Sequence, residues 1–350
     1  MTTYEAVKNE IRSTPKRWLI TGVAGFIGSN LLEQLLRLDQ PVVGLDNFST
    51  GKRENLSDVQ SRVSKNQWSQ FNFIEGDIRH LSTCHAACKD ADVILHQAAI
   101  GSVPRSIDDP LGCNDNNVTG NLNMLKAACD TRVKRLVYAS SSAVYGDHPG
   151  LPKVEDICGL PLSPYAVSKK VNELYAHVFN QLYGLETIGL RYFNVFGPRQ
   201  DPNGAYAAVI PQWISALCTG KTVYINGTGE TSRDFCYIEN VVQANLLAAQ
   251  TNDRKAINQV YNVAINKRTS LNDLYYMLHK NLLPHYDHLK ESSPVYRDFR
   301  AGDVLHSQAD ISKASHLLGY IPTHSVEEGL ETAMGWYINK LPRNNRTGTP

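Results

Sequence analysis

Tyr165 and Lys169 stand four residues apart in the string Ser163-Pro164-Tyr165-Ala166-Val167-Ser168-Lys169. On a helix, residues at this spacing lie one above the other on the same face. An ammonium held beside a phenol favours the phenolate and lowers the tyrosine from its usual pKa of about 10. A tyrosine that ionises near neutral pH is a usable general base toward an alcohol. The run Ser140-Ser141-Ser142, some twenty residues upstream, adds hydroxyls able to steady an alkoxide as it becomes a ketone. Removing hydrogen from an alcohol carbon in this way also needs a hydride acceptor, and the amino-terminal half of the chain offers a cradle for one.

Residues 17–22 read as a buried strand that runs into Gly22, Gly25 and Gly28 and then into a helix. That helix opens with Phe26 and Ile27 and carries Leu31, Leu32, Leu35 and Leu36. The glycines allow a tight turn and a close approach to a pyrophosphate, while the helix start offers free N–H groups and its positive dipole end. The next strand, 41–46, ends on Asp46, followed by Asn47, Ser49, Thr50 and Gly51. A carboxylate there accepts from adenosine ribose hydroxyls and repels a 2′-phosphate, which favours NAD over NADP. Residues 71–77 lead to Asp77 and Ile78, a clamp for the adenine edge. Residues 92–99 end in Gln97, Ala98 and Ala99, the alanines small enough for a cofactor to lie against the backbone. His96, in that strand, reads as a core histidine. A helix over 111–130 and a strand over 134–139 follow. Alternation of this kind predicts an α/β chain built on a Rossmann-type doubly wound parallel sheet, with ligands at the carboxyl ends of its strands.

The formal net charge of +1 gives no reason to expect nucleic acid or an anionic membrane as partner. The seven cysteines are irregularly spaced, which fits a reducing compartment, structural thiols and no metal site. Residues 1–17 lack the apolar core of a signal peptide, and no stretch approaches the roughly 18 apolar residues of a membrane span. A cytoplasmic location is the expectation. The polar tail, 341–350, is expected to be disordered.

Together with 46–51, 76–78, 140–146, 164–169, 191–198, 232–235 and 300–303, these motifs resemble the extended short-chain dehydrogenase/reductases, and within them the UDP-sugar 4-epimerases. The likeness keeps the family's order over residues 17–340. It implies mainly an NAD-binding Rossmann domain over 1–198 and mainly a smaller α/β UDP-sugar-binding domain over 199–340. It also implies that Tyr165 takes the proton of a sugar C4 hydroxyl while NAD takes the C4 hydride, which returns to the opposite face. Ser141 falls where the family keeps its catalytic Ser/Thr, with Ser142 beside it as a supporting donor; the choice between them stays open. Asn117, Ser140 and Tyr192 join the implied cofactor contacts. Asn194, Arg233 and Arg300 would hold the diphosphate, arginine being suited by its planar fork. Tyr224 and Asn226 would serve uracil and Asp303 a ribose. Ser102, Gln200 and Val209 complete the implied substrate contacts.

Ser307 occupies a sugar-pocket position at which a tyrosine goes with unsubstituted hexoses, so the resemblance implies room for a C2 acetamido group. The expected reaction is interconversion of UDP-GlcNAc and UDP-GalNAc, serving surface-polysaccharide synthesis, with the uronic pair UDP-GlcNAcA and UDP-GalNAcA as the alternative. A 4,6-dehydratase would carry Asp-Glu directly after its catalytic Ser/Thr, where Ser142-Ala143 stands here. A dehydrogenase would release NADH, and an inactive NAD/UDP-sugar-binding scaffold would have lost Tyr165 or Lys169. A homodimer is expected through the helices at 111–130 and 164–183, with Leu122, Met124, Leu125, Leu174 and Val178 as candidate contacts.

Overall fold

Four consecutive buried residues, Trp18–Thr21, form strand β1 at the centre of the molecule. The computed structural model describes residues 3–202, 207–299 and 305–340. The tail at 341–350, with Arg300 and Asp303, lies outside the described residues. After β1 come β2 (Val42–Asp46), β3 (Phe71–Glu75), β4 (Val93–His96), β5 (Arg135–Ser141), β6 (Glu186–Tyr192) and β7 (Gln259–Val263). They make one sheet in the order β7-β6-β5-β4-β1-β2-β3, with every neighbouring pair parallel. Near-continuous apolar runs such as Trp18-Leu19-Ile20 suit strands covered on both faces. Leu31, Leu32, Leu35 and Leu36 of the helix Phe26–Arg37 cover one face; Cys84, Cys88, Met124 and Leu125 cover the other. The strand order reverses between β1 and β4, which opens a crevice at their carboxyl ends. This is the doubly wound Rossmann architecture.

Residues beyond 199 also contribute to this sheet. The helix Ile238–Gln250 is buried over nearly its whole length and delivers the chain to β7. Among the described residues, short two-stranded pairings outside the sheet join 195–196 with 236–237, 232–233 with 269–270, and 224–226 with 295–297.

The expected helix at 111–130 forms, beginning at Pro110, but it carries a π-helical turn at Asp115–Thr119. The wider turn contains Asn117, whose amide donates to the Ile100 carbonyl at 3.1 Å and accepts from the Ile100 N–H at 2.8 Å. Met124 and Leu125 of the same helical run are fully buried against their own sheet, so neither is available to a partner; Leu174 and Val178 are exposed.

The helix Pro164–Tyr183 is set by local chemistry. Ser163 caps it by accepting from the Ala166 N–H at 3.1 Å, Pro164 takes the first turn, and Gly184 ends it at φ +70°. Its buried face includes Ala166, Lys169, Glu173 and Ala176, at helical spacing. Glu173 ties it to the sheet: its carboxylate accepts from Ser140 Oγ on β5 at 2.7 Å and from Nε and Nη2 of Arg191 on β6 at 2.8 and 2.9 Å.

Candidate active site

At the reversal between β1 and β4, Gly22 adopts φ +68°, and a Cβ there would stand 2.8 Å from the Ala98 backbone nitrogen. A Cβ on Gly28 would stand 2.1 Å from the Gly22 carbonyl oxygen. Glycine at both positions therefore brings strand, turn and helix start together. Gly22, Gly25, Phe26, Ile27 and Gly28 line one end of a cavity of about 1130 Å³. That is room for more than one small molecule, single-ligand pockets running to about 1,000 Å³. Asp46, Asn47, Ser49, Thr50 and Ile78 line it further, with Gln97, Ala98 and Ala99 from the end of β4.

Asp46 is buried, which raises its pKa, although the N–H groups of Ala24 and Phe48 donate to its two oxygens at 2.9 and 2.8 Å. Each oxygen keeps a lone pair for a further donor. Asp77 is not among the residues that line the cavity. Its carboxylate is clasped by Arg79 and receives the Asn47 amide at 2.9 Å, and Arg79 holds it well below the usual carboxylate range despite partial burial. The backbone of Gly76 and Ile78 lines the cavity instead. Gly51 packs behind Asp46, where a Cβ would meet its carboxylate at 2.9 Å. Asn117 likewise lies behind the wall, bracing Ile100. The cradle that a Cβ would fill, and the carboxylate at its far end, fit a dinucleotide with a free ribose 2′-hydroxyl.

At the middle of the cavity Ser140, Ser141 and Ser142 meet Tyr165 and Lys169, with Tyr192 behind them. Tyr192 donates to Gln97 Oε1 at 3.1 Å. The Lys169 ammonium donates to the Ala139 carbonyl at 2.9 Å and lies 5.9 Å from the centroid of the Tyr165 ring. Burial lowers Lys169 to about 8. The expected lowering of the Tyr165 phenol is not met by the protein alone: burial raises it, and the hydrogen bond with Ser141 offsets only part of that. Ser141 thus works against the effect of burial on the phenol. Ser142 opens a short 3₁₀ turn over the cavity. His96 sits beneath, paired with Thr21 Oγ1 at 2.6 Å; burial and then Lys169 lower it to about 3, which keeps it neutral as a core residue.

At the far end Asn194, Gln200, Arg233 and Ser307 line the cavity. Gln200 donates to the Val195 carbonyl at 3.0 Å, while its Oε1 is buried with no hydrogen-bond partner among the described residues. Arg233 donates to the carbonyls of Ser232 and Leu305. Ser102 is engaged as a helix cap, accepting from the Arg105 N–H at 3.2 Å, and Val209 begins a helix beside the lining residue Ala208. Tyr224 lies under the Arg297 guanidinium at 3.2 Å, and Asn226 borders a separate shallow pocket with Tyr296, Arg297 and Asp298. Sequence reasoning missed His306, whose Nδ1 meets Ser232 Oγ at 2.9 Å, and Lys153, Tyr145 and Phe193. Lys153 and His306 reach the wall through pairings distant in sequence, Lys153 with Ala309 and Ser232 with His306, whereas Tyr145 and Phe193 sit within motifs the sequence already marks. Among the described residues, no group of three or more His, Cys, Asp or Glu side chains is placed to hold a metal ion, and no helix is long and apolar enough to cross a membrane.

A doubly wound sheet with a glycine cradle at its switch point, and a Ser/Tyr/Lys group at its carboxyl edge, defines a nicotinamide-dependent short-chain dehydrogenase/reductase fold. The NAD dependent epimerase/dehydratase family matches residues 18–264, and the chain belongs to it. Among solved structures it is 38% identical, at a TM-score of 0.84, to the UDP-N-acetylglucosamine 4-epimerase of Methanobrevibacter ruminantium in complex with UDP-N-acetylmuramic acid, covering 94% of this chain and 100% of that one. A putative UDP-glucose 4-epimerase of Methanocaldococcus jannaschii is 35% identical over 94% of this chain and 99% of its own length. The UDP-glucuronic acid 4-epimerase of Bacillus cereus, in complex with UDP-glucuronic acid and NAD, is 32% identical at a TM-score of 0.80, covering 92% of this chain and 99% of that one. The family is NAD-dependent, and the cradle fits that cofactor.

Proposed function

We propose that this protein is a UDP-sugar 4-epimerase that interconverts UDP-GlcNAc and UDP-GalNAc. The observation that carries the choice of sugar is Ser307, a small side chain in the wall of the cavity that also contains Tyr165. A serine leaves space there for a C2 acetamido group. Gln200 Oε1, buried and unpartnered, adds an acceptor for a substrate N–H or O–H. The 38% likeness to a UDP-N-acetylglucosamine 4-epimerase supports the same reading.

Gly22, Gly25 and Gly28 hold the cofactor's pyrophosphate and Asp46 its ribose. When bound, NAD supplies the centre that accepts and returns the C4 hydride, so that the reaction has no net oxidation. Tyr165 takes the C4 hydroxyl proton and gives it back. Its phenol, raised by burial, needs positive charge nearby to ionise, and Lys169 is placed to supply part of it. Ser141 hydrogen-bonds the same substrate oxygen as its charge changes. Asn194 and Arg233 bind the diphosphate, together with Arg300, and Asp303 serves a ribose. The division into mainly cofactor-binding (1–198) and mainly substrate-binding (199–340) residues belongs to this proposal. So does a homodimer, supported by the exposed apolar stripe Val167, Leu174, Val178 and Leu182 along one helix. We place the enzyme in the cytoplasm, supplying surface-polysaccharide synthesis.

The test is direct. Purified protein with NAD and UDP-GlcNAc is expected to yield UDP-GalNAc by chromatography, and Tyr165→Phe to yield none. Failure of the wild type to convert any UDP-sugar overturns the reading.

A further inference from the structure

Lys153 is 7% exposed, lines the catalytic cavity, and has no carboxylate within ion-pair distance among the described residues. Its ammonium donates to one group, the backbone carbonyl of His148. The nearest acids along the chain make other contacts: Glu155 Oε1 accepts from the Asn262 N–H at 2.8 Å, and Asp156 lies 4.0 Å from the Lys313 ammonium. A buried ammonium without a counter-charge is expensive, and a folded protein retains one where something repays it. Burial accordingly pulls its pKa downward.

The position of Lys153 says what repays it. Its N–H donates to the Gln308 carbonyl at 2.8 Å, and its own carbonyl accepts from the Asp310 N–H at 2.9 Å. These bonds place it beside the segment that carries Ser307, at the end of the cavity assigned to the sugar. Arg233, which also lines the cavity, is assigned to the diphosphate.

We infer that Lys153 is a specificity-determining residue that pairs with a carboxylate on the sugar of the substrate, so that acidic UDP-N-acetylhexosamines are preferred over neutral ones. The inference rests on the UDP-sugar 4-epimerase reading and on Ser307 marking the sugar end. A charge-assisted pair in such a site is worth roughly ten- to hundredfold in kcat/KM.

The experiment compares kcat/KM on UDP-GlcNAcA and UDP-GlcNAc for the wild type, Lys153→Met and Lys153→Arg, with thermal unfolding of each. Expected are a wild-type preference for the acid, its loss by roughly tenfold or more in Lys153→Met with the neutral sugar little changed, and retention in Lys153→Arg. If Lys153→Met does not fold, Lys153→Gln takes its place in the same comparison. Equal loss on both sugars, with weaker UDP binding, would assign Lys153 to the diphosphate and overturn the inference. Equal loss with a lowered Tm, or no change on either sugar, would also overturn it. A wild type that converts UDP-GlcNAc without preferring the acid sinks this inference alone, whereas one that converts neither sugar sinks the epimerase reading.

Discussion

The Lys169 ammonium stands 5.9 Å from the centroid of the Tyr165 ring because the Ala139 carbonyl, at the end of β5, holds it there at 2.9 Å. Sheet and helix thus fix the distance between base and cation together. Burial raises the phenol, which keeps it neutral, and lowers the ammonium to about 8, which leaves it mostly charged at neutral pH. Catalysis then depends on what else is brought to the phenol.

One consequence is a pH-dependence of stability. Lys169 is lowered from 10.5 to about 8 in the folded protein. Between those values the unfolded chain keeps a proton that the folded chain has released, so this group makes stability rise with pH across the window. Urea unfolding of wild type and Lys169→Met from pH 8 to 10.5 is expected to show the rise in the wild type and its loss in the variant. Parallel profiles would contradict the buried ammonium.

The glycine cradle gives a second prediction. A methyl group at position 28 would stand 2.1 Å from the Gly22 carbonyl oxygen, and the backbone must shift to accept it. Gly28→Ala is expected to weaken NAD binding by roughly a hundredfold, as read by fluorescence titration, because the turn carries the pyrophosphate contacts. Circular dichroism should show the sheet intact. Wild-type affinity in the variant would show that this turn is not the cradle.

Much of this was legible in the sequence because it is local. The strand before Gly22, the leucine period after it, and the Ser163-Pro164 start of the catalytic helix each announce themselves within a dozen residues. Burial, which raises the Tyr165 phenol in the protein alone, is not legible from spacing, because spacing gives the face of a helix but not what packs around it. Asn117 bears on Ile100 from a π-helical turn, which no periodicity shows. The sequence does not show that Arg79, two residues on from Asp77, pairs with its carboxylate. Lys153 enters the cavity wall only through its pairing with Ala309.

The buried Glu173–Arg191 pair carries a third prediction. Burial alone would raise Glu173, and the Arg191 guanidinium outweighs it, holding the carboxyl below its ordinary value. Arg191→Met leaves that buried carboxylate with only the longer 3.4 Å contact to Lys170 as a cationic partner among the described residues, at a cost of about 3 kcal/mol. Thermal unfolding should register a large drop in Tm. Turnover should fall as well, since Glu173 also holds Ser140 beside Ser141, the serine proposed to act on the substrate oxygen. A Tm close to wild type would mean that water reaches the pair.

Ser307 gives the last prediction, and the one that bears most on substrate choice. Its N–H donates to the Ser232 carbonyl at 3.1 Å, so the backbone at this point of the wall is tied to the strand that leads into Arg233. A larger side chain at 307 therefore cannot retreat by moving the loop without disturbing that strand; it must take its volume from the cavity. Ser307→Tyr is expected to reduce kcat/KM on UDP-GlcNAc by roughly a hundredfold, the scale at which a pocket rejects a substituent that no longer fits. UDP-glucose, which lacks the acetamido group, should lose less than about tenfold, so the ratio between the two sugars moves toward the plain hexose. Assaying both with the same preparation separates this from general damage, which would depress both alike. An unchanged ratio would remove the steric argument and leave the acetylated substrate resting on Gln200.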